Sequence, residues 1–319
     1  MCKISVVMST FNETKDELEK AIESILAQTF KDFEFLIILD NPQNEEHKNI
    51  LKKFKEKDDR IKIYINEQNM GLAKSLNKGI DLANGKYIAR MDADDISMPE
   101  RLEKEYNFLE KNTDISIVST NKILIDENDR ELYKASDLVT TDAKIKEMLK
   151  YMSIIVHPSV MFKKDDILKI GKYRNFKASQ DYDLWLRASY SNLKFSIINE
   201  YLIKYRIRED NISNSNPLKQ WVIHEYILKL YKERKKYGKD SFSEESLDNY
   251  LLLEGVFDEN ESKKFKKGMK NIESLKINLR NKKILLAIKN FVVIIFGQKK
   301  IRKVFYNYIK CNIIKRNGV

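Results

Sequence analysis

The chain has 319 residues, 42% hydrophobic and 34% charged, with a formal net charge of +11. That apolar content supports a sizeable core and argues against wholesale disorder, and the length suits one large domain or two ordinary ones. Two cysteines near opposite ends, Cys2 and Cys311, and three scattered histidines, His47, His157 and His224, exclude a disulfide framework and a cysteine–histidine metal pattern, and fit a reducing compartment.

A strand is expected over residues 4–8. Its apolar run is too short for a signal peptide and polar Ser9-Thr10 follows it, so a cytoplasmic location is expected. Leu18, Ala21, Ile22, Ile25 and Leu26 then recur at helical spacing. Residues 33–39 form a near-continuous apolar run. Residues 46–57 read as a polar helix with Ile50, Leu51 and Phe54 inward, and 61–65 as a short strand. A helix is expected over 72–83, ended by Asn84-Gly85, and a strand over 86–91. Ser97-Met98-Pro99-Glu100 has the pattern of a capping box opening a helix that runs to Lys111, and 115–119 reads as a strand. From about 121 to 216 the pattern is mixed, with apolar runs at 154–156 and 159–162 and a helix over 182–189. After Pro217 helical patterns dominate and charge rises. Repeated βα units predict an α/β fold: a mostly parallel central sheet with helices on both faces, followed by a helical, basic C-terminal extension.

Each predicted strand of the first hundred residues ends in polar groups. Ser9-Thr10-Phe11-Asn12 follows the first, Asp40-Asn41-Pro42 the second, residues 66–71 the third and Asp92-Ala93-Asp94-Asp95 the fourth. A parallel sheet gathers such ends at one edge, where open α/β sheets bind ligands. Three carboxylates within four residues repel one another unless a cation lies between them. A divalent metal holding a diphosphate is the chemistry that fits.

This ordered set resembles the family 2 glycosyltransferases. It comprises Ser9-Thr10-Phe11-Asn12, Leu39-Asp40-Asn41, Asn69-Met70-Gly71-Leu72-Ala73 with Asn77 and Gly79, and the run from Gly85 to Asp95. The resemblance resumes at His157-Pro158-Ser159 and at Gln180-Asp181-Tyr182-Asp183. It implies an inverting enzyme of the GT-A fold using a nucleotide-sugar donor, and a place in bacterial surface-polysaccharide synthesis. With the change of character after Pro217, it implies a catalytic domain over 1–215, its donor half 1–97 and acceptor half 98–215, with 216–319 as the extension. Thr10, Asn12, Asp40 and Asn69 would border the donor, with Asp40 meeting the base. Asp92 would face the ribose and Asp94 would ligate Mn2+ or Mg2+, with Asp95 supporting. Asp181 would be the general base, deprotonating a hydroxyl of a glycan or lipid-linked glycan acceptor. Gln180 departs from the family's usual Glu, and Asn41-Pro42 from its usual acid and glycine. Arg90 reads either as a donor contact or as a surface strand residue. His157 stands between a structural role and one near the phosphates. Arg206 and Arg208 stand between a loop closing over the diphosphate and a salt-bridged surface loop. Asp183 is expected as a helix N-terminal acid and Trp185 as core.

The positive charge is concentrated in the tail. Residues 261–319 hold 17 Lys or Arg against 2 Glu, so the other 260 residues carry about −4. The apolar stretch 284–296, flanked by Lys282, Lys283, Lys299 and Lys300, is too short to span a bilayer. Two readings stand: a helix lying on an anionic membrane surface, attaching the protein peripherally to the inner face of the cytoplasmic membrane, or a helix packed on the catalytic domain. No motif supports a nucleic-acid partner. A nucleotidyltransferase would carry a glycine-rich loop after the first strand, and an NAD enzyme a G-x-G-x-x-G; neither is present. A degenerate, membrane-associated binding protein is the non-enzymatic alternative, raised by Gln180.

Overall fold

A computed structural model describes residues 2–135, 139–207 and 216–316. Arg208 lies outside the described residues. The chain divides into two compact units, Met1–Lys146 with Ile154–Arg208, and Glu147–Ser153 with Glu209–Val319.

The first unit alternates strand and helix: β1 Ile4–Thr10, α1 Lys15–Leu26, β2 Phe33–Leu39, α2 Glu45–Lys57, β3 Ile61–Ile65, α3 Leu72–Leu82 and β4 Tyr87–Asp92. It continues with β5 Ile96–Ser97, α4 Arg101–Lys111, β6 Ile117–Ile125, β7 Glu131–Ala135, β8 Met161–Lys163, α6 Lys164–Lys169, α7 Gln180–Tyr190 and β9 Phe195–Arg206, with α5 Asp142–Met148 between β7 and β8. The described strands form one sheet in the order β3-β2-β1-β4-β8-β6-β9-β5, with β7 on β6. It is parallel through β3, β2, β1 and β4, and mixed beyond, because β8 runs antiparallel to both β4 and β6.

Alternation along the strands explains how both faces are covered. Ile4, Val6 and Met8, with Phe35, Ile37, Tyr87, Ala89 and Met91, share a core with Leu18, Ile22 and Ile25 of α1, Leu51 and Phe54 of α2, and Leu102 and Leu109 of α4. Val7 points the other way, against α3: a Cβ built on Gly79 would lie 2.4 Å from Val7 Cγ1, so only glycine lets the helix approach this closely.

The predicted capping box does not form. Ser97 is in β5, paired with Ile203 of β9, and Glu100 makes no side-chain cap at the start of α4. A distant residue replaces it: Gln28 Oε1 accepts from Leu102 N at 3.0 Å, and its Nε2 donates to Ser97 Oγ and the Met98 carbonyl. Sheet pairing and a buried tertiary cap override the local motif.

The second unit contains α8 Pro217–Tyr237, α9 Glu244–Leu253, α10 Glu259–Arg280, α11 Ile284–Ile295 and α12 Lys299–Arg316. Leu218, Val222, Ile223, Tyr226, Ile227 and Leu230 of α8 are buried. Residues 147–153 join this unit although the sequence suggests a single break near 215. The Tyr151 carbonyl meets His224 Nε2 at 3.1 Å and accepts from Asn307 Nδ2 at 2.9 Å.

Candidate active site

The strand ends that the sequence brings together are level in the sheet. Ser9 pairs with Asp92, Thr10 with Leu39, and Leu39 with Ile65. The loops that follow β1, β2, β3 and β4 therefore leave from one edge, as expected of ligand-binding α/β sheets. Hydrogen bonds tie these loops to each other. Thr10 Oγ1 donates to Glu13 at 2.6 Å and lies 3.0 Å from His47 Nδ1. Asn41 Nδ2 donates to the Asn12 side-chain oxygen Oδ1 at 2.7 Å, and Asn69 Oδ1 accepts from Gly71 N. Asp40 is buried and organises the loop after β3: it accepts from Asn66 Nδ2 at 2.7 Å and from the backbone N–H groups of Met70 and Gly71, each at 2.9 Å. Three donors leave one of the four lone-pair directions of the carboxylate for a ligand.

At the end of β4, ligand atoms of Asp92, Asp94 and Asp95 all lie within 4.8 Å of one another. Asp95 is buried. Its Oδ1 accepts from Arg206 N at 2.8 Å, and its buried Oδ2 has no hydrogen-bond partner. Burial, then the charges of Asp94 and Asp92, push its pKa well above the usual carboxylate range. Arg206 is not on a surface loop, as one reading of the sequence had it. It ends β9 only 1% exposed, and its guanidinium donates to the Asp94 and Asp126 carbonyls and to Asp129. It fixes the acidic turn from behind. A residue at the end of a buried strand has its side chain held by packing, which local polarity in the sequence does not reveal.

Arg90 lies on the α3 face of β4, 98% buried, which excludes a surface role. One end of its guanidinium pairs with Asp92, while Nε and Nη1 are buried with no hydrogen-bond partner. Two orphaned nitrogen donors on a buried cation are costly unless a ligand completes them. The same charge reaches Asp181, at the N-terminus of α7. Burial raises the Asp181 carboxyl to about 6, against the Tyr182 N–H and the Arg90 charge, which lower it. Ser179, which starts this helix, is left-handed at φ 57 and makes no side-chain cap. Backbone strain of that kind is held in place by the surrounding fold. Gln180 is buried next to it. Asp183 turns away and takes the Arg187 Nε at 2.8 Å, and Trp185 is fully buried.

His157 follows from the same arrangement. Its Nε2 lies 2.8 Å from the Tyr173 hydroxyl, and its ring meets those of Tyr173 and Trp185 edge to face. Burial first, then Arg90, depress its pKa well below the ordinary value, so the imidazole is neutral.

Comparison with known proteins agrees with this geometry. The profile described as Glycosyl transferase family 2 matches residues 5–171. An uncharacterized glycosyltransferase of Methanocaldococcus jannaschii is 42% identical over 237 residues, 73% of this chain and 81% of that protein. The chain belongs to glycosyl transferase family 2. An O-antigen biosynthesis glycosyltransferase of Escherichia coli is 37% identical to this glycosyltransferase over 66% of its chain and 82% of the relative. In three dimensions the crystal structure of S. aureus TarS 1-349 in complex with UDP-GlcNAc superposes with a TM-score of 0.61 at 16% identity, covering 99% of this chain and 92% of that one. Of the longer TarS structure this chain covers 42%, with a TM-score of 0.55. These likenesses establish the GT-A fold.

The acidic turn of this glycosyltransferase fits a divalent cation: three oxygen donors converge, and one buried carboxylate oxygen has no protein partner. Two residues that the sequence reading missed border the site. Tyr173 is buried, and its backbone exchanges two hydrogen bonds with the Asn77 side chain, at 2.8 and 3.0 Å. Tyr205 of β9 is half-buried, and burial followed by Asp95, Asp92 and Asp94 raises its phenol. Neither stands in a motif. The only available signal for Tyr205 was its neighbour Arg206.

Proposed function

We propose that this glycosyltransferase moves a sugar from a nucleoside-diphosphate donor, UDP-linked, to a hydroxyl of a glycan or lipid-linked glycan, with inversion. We place the reaction in the synthesis of a surface polysaccharide at the cytoplasmic face of a membrane. One observation carries the reading: Arg90 links the acidic turn electrically to a carboxyl whose pKa stands near 6. In this scheme Asp181 takes the proton of the acceptor hydroxyl as its oxygen attacks the anomeric carbon. The bond to the nucleoside diphosphate breaks on the opposite face, and a single displacement inverts the centre. A carboxylate with that pKa is ionised at neutral pH yet basic enough to accept a proton in the transition state. Arg90 offers its two open nitrogens, Nε and Nη1, to donor oxygens, and Asp40 offers its remaining lone pair to the N–H of the base. Asp92, Asp94 and Asp95 would hold Mn2+ or Mg2+, which supplies positive charge against the departing diphosphate. The resemblance to an O-antigen enzyme and to a structure holding UDP-GlcNAc supports the pathway and the nucleotide.

The test is a thermal-shift screen of UDP-, GDP-, CDP- and dTDP-sugars with Mn2+, followed by transfer assays with the nucleotide that binds. A UDP-sugar should raise the melting temperature most, and excess chelator should abolish transfer. Full activity in chelator would overturn the metal assignment, and equal shifts with all nucleotides would overturn the donor assignment.

A further inference from the structure

Helix α11 is apolar on both its inward and its exposed sides. Its inward seam runs through Ala287, Asn290 and Ile294, and the polar member of that seam is satisfied within the protein. Asn278 donates to Asn290 at 3.0 Å, and Asn290 donates to Asn271 at 3.4 Å, both partners on α10. The opposite face carries Leu285, Ile288, Val292 and Phe296, with Leu285 84% and Phe296 83% exposed. Ile284, Leu286, Phe291 and Val293 are exposed around them, as are Ile277 and Leu279 at the end of α10. A helix folded against water places its polar side outward. Single exposed apolar residues are ordinary, but a continuous face of them marks a docking surface. No helix among the described residues is long and apolar enough to cross a membrane.

Charge selects the occupant. Residues 274–316 contain twelve Lys or Arg and no Asp or Glu. Lys282 and Lys283 precede α11, Lys289 is exposed on it, and Lys299 and Lys300 follow it. A second copy of the chain would bring the same positive charge to the contact. A nucleic acid would leave the aliphatic face in water. An anionic lipid surface satisfies both features, taking apolar side chains among its acyl chains and lysines at its phosphates.

We propose that α11 lies in the plane of an anionic membrane, with Leu285, Ile288, Val292 and Phe296 inserted and the flanking lysines at the headgroups. The contact rests on the membrane-side placement in the proposed function and gives it a defined surface. The test uses the full-length protein without donor or acceptor, sedimented with vesicles of phosphatidylcholine alone or of phosphatidylcholine with phosphatidylglycerol. The wild type should bind the anionic vesicles, more weakly as salt rises. The double variant Leu285→Ser, Phe296→Ser should bind about tenfold or more weakly. Both side chains are exposed, so its melting temperature and its donor hydrolysis without vesicles should match the wild type. The proposal is overturned if the wild type stays in the supernatant or the variant binds equally. It is also overturned if the wild type is an oligomer that the variant dissociates without any vesicle binding, since α11 would then join copies of the chain. Vesicle binding by a wild type that transfers no sugar to any acceptor would count against the catalytic reading alone.

Discussion

Asp181 and Arg90 show how one charge serves two places. The folded-state pKa of Asp181, about 6, stands above the ordinary carboxylate value of 3.8. Activity should therefore rise with pH through about 6 as the base ionises, and kcat/KM against pH should show that acidic limb. Stability should do the reverse. Between the two pKa values the folded state holds a proton that the unfolded state has lost, so stability falls as pH rises across that window. Asp181→Asn should abolish transfer, leave UDP-sugar binding nearly intact, and stabilise the protein at pH 7 by up to about 3 kcal/mol. Unchanged turnover in that variant would place the base elsewhere. Arg206→Ala should act from behind the site. It removes the guanidinium bonds to the Asp94 and Asp126 carbonyls and to Asp129 that brace the acidic turn, while the backbone bond to Asp95 stays, so Mn2+ affinity should fall roughly tenfold to a hundredfold while UDP binding without metal changes little.

At the scale of elements, the parallel half of the sheet depends on a polar clamp at its lower edge. Glu34 of β2 accepts from Ser5 Oγ of β1 at 2.6 Å, Lys62 Nζ of β3 at 2.6 Å and Asn84 N, before β4, at 2.6 Å. Burial opposes its ionisation, but these donors together lower its pKa to about 2. That contribution to stability is complete above the ordinary value of 4.5 and is lost as pH falls towards 2. Lys62 is 42% exposed, which discounts its share. Glu34→Gln should cost about 2 kcal/mol at pH 7 and much less at pH 3, read as urea midpoints. Gly85 sits beside the clamp: an added Cβ would lie 2.5 Å from the Ser5 backbone N. Gly85→Ala should thus force β1 and β4 apart and cost about 2–4 kcal/mol, visible as a lower melting temperature.

For the whole molecule, ligand binding should link the two halves of the donor site. The loop after β2 and the acidic turn after β4 flank β1, so a nucleotide sugar held by both should stabilise the first unit as one body. At a hundred times the dissociation constant, UDP with Mn2+ should add about 2.7 kcal/mol. Asp94→Asn should remove most of the metal-dependent part of that shift. Calorimetry with and without Mn2+ checks this, and an equal shift in the variant would take Asp94 out of the metal site.

Much of this was legible in the chain itself. Strands β2 and β3, the apolar stripes of α1 and α2, and the polar ends at Thr10, Asp40 and Asp92 follow from local periodicity, because a half-buried helix or a fully buried strand imposes its own spacing on the residues. The order of those polar ends also placed them at one sheet edge. Tertiary structure decided what each polar side chain does there. Gln28 caps α4 from the loop after α1, Arg206 is buried behind the acidic turn, and Tyr173 reaches His157 through a loop held by Asn77. These roles depend on partners 16 to 112 residues away. The exposed apolar face of α11 was hidden for the same reason. Its sequence shows only an apolar run, and the Asn290–Asn278 pairing on α10 determines which side faces water.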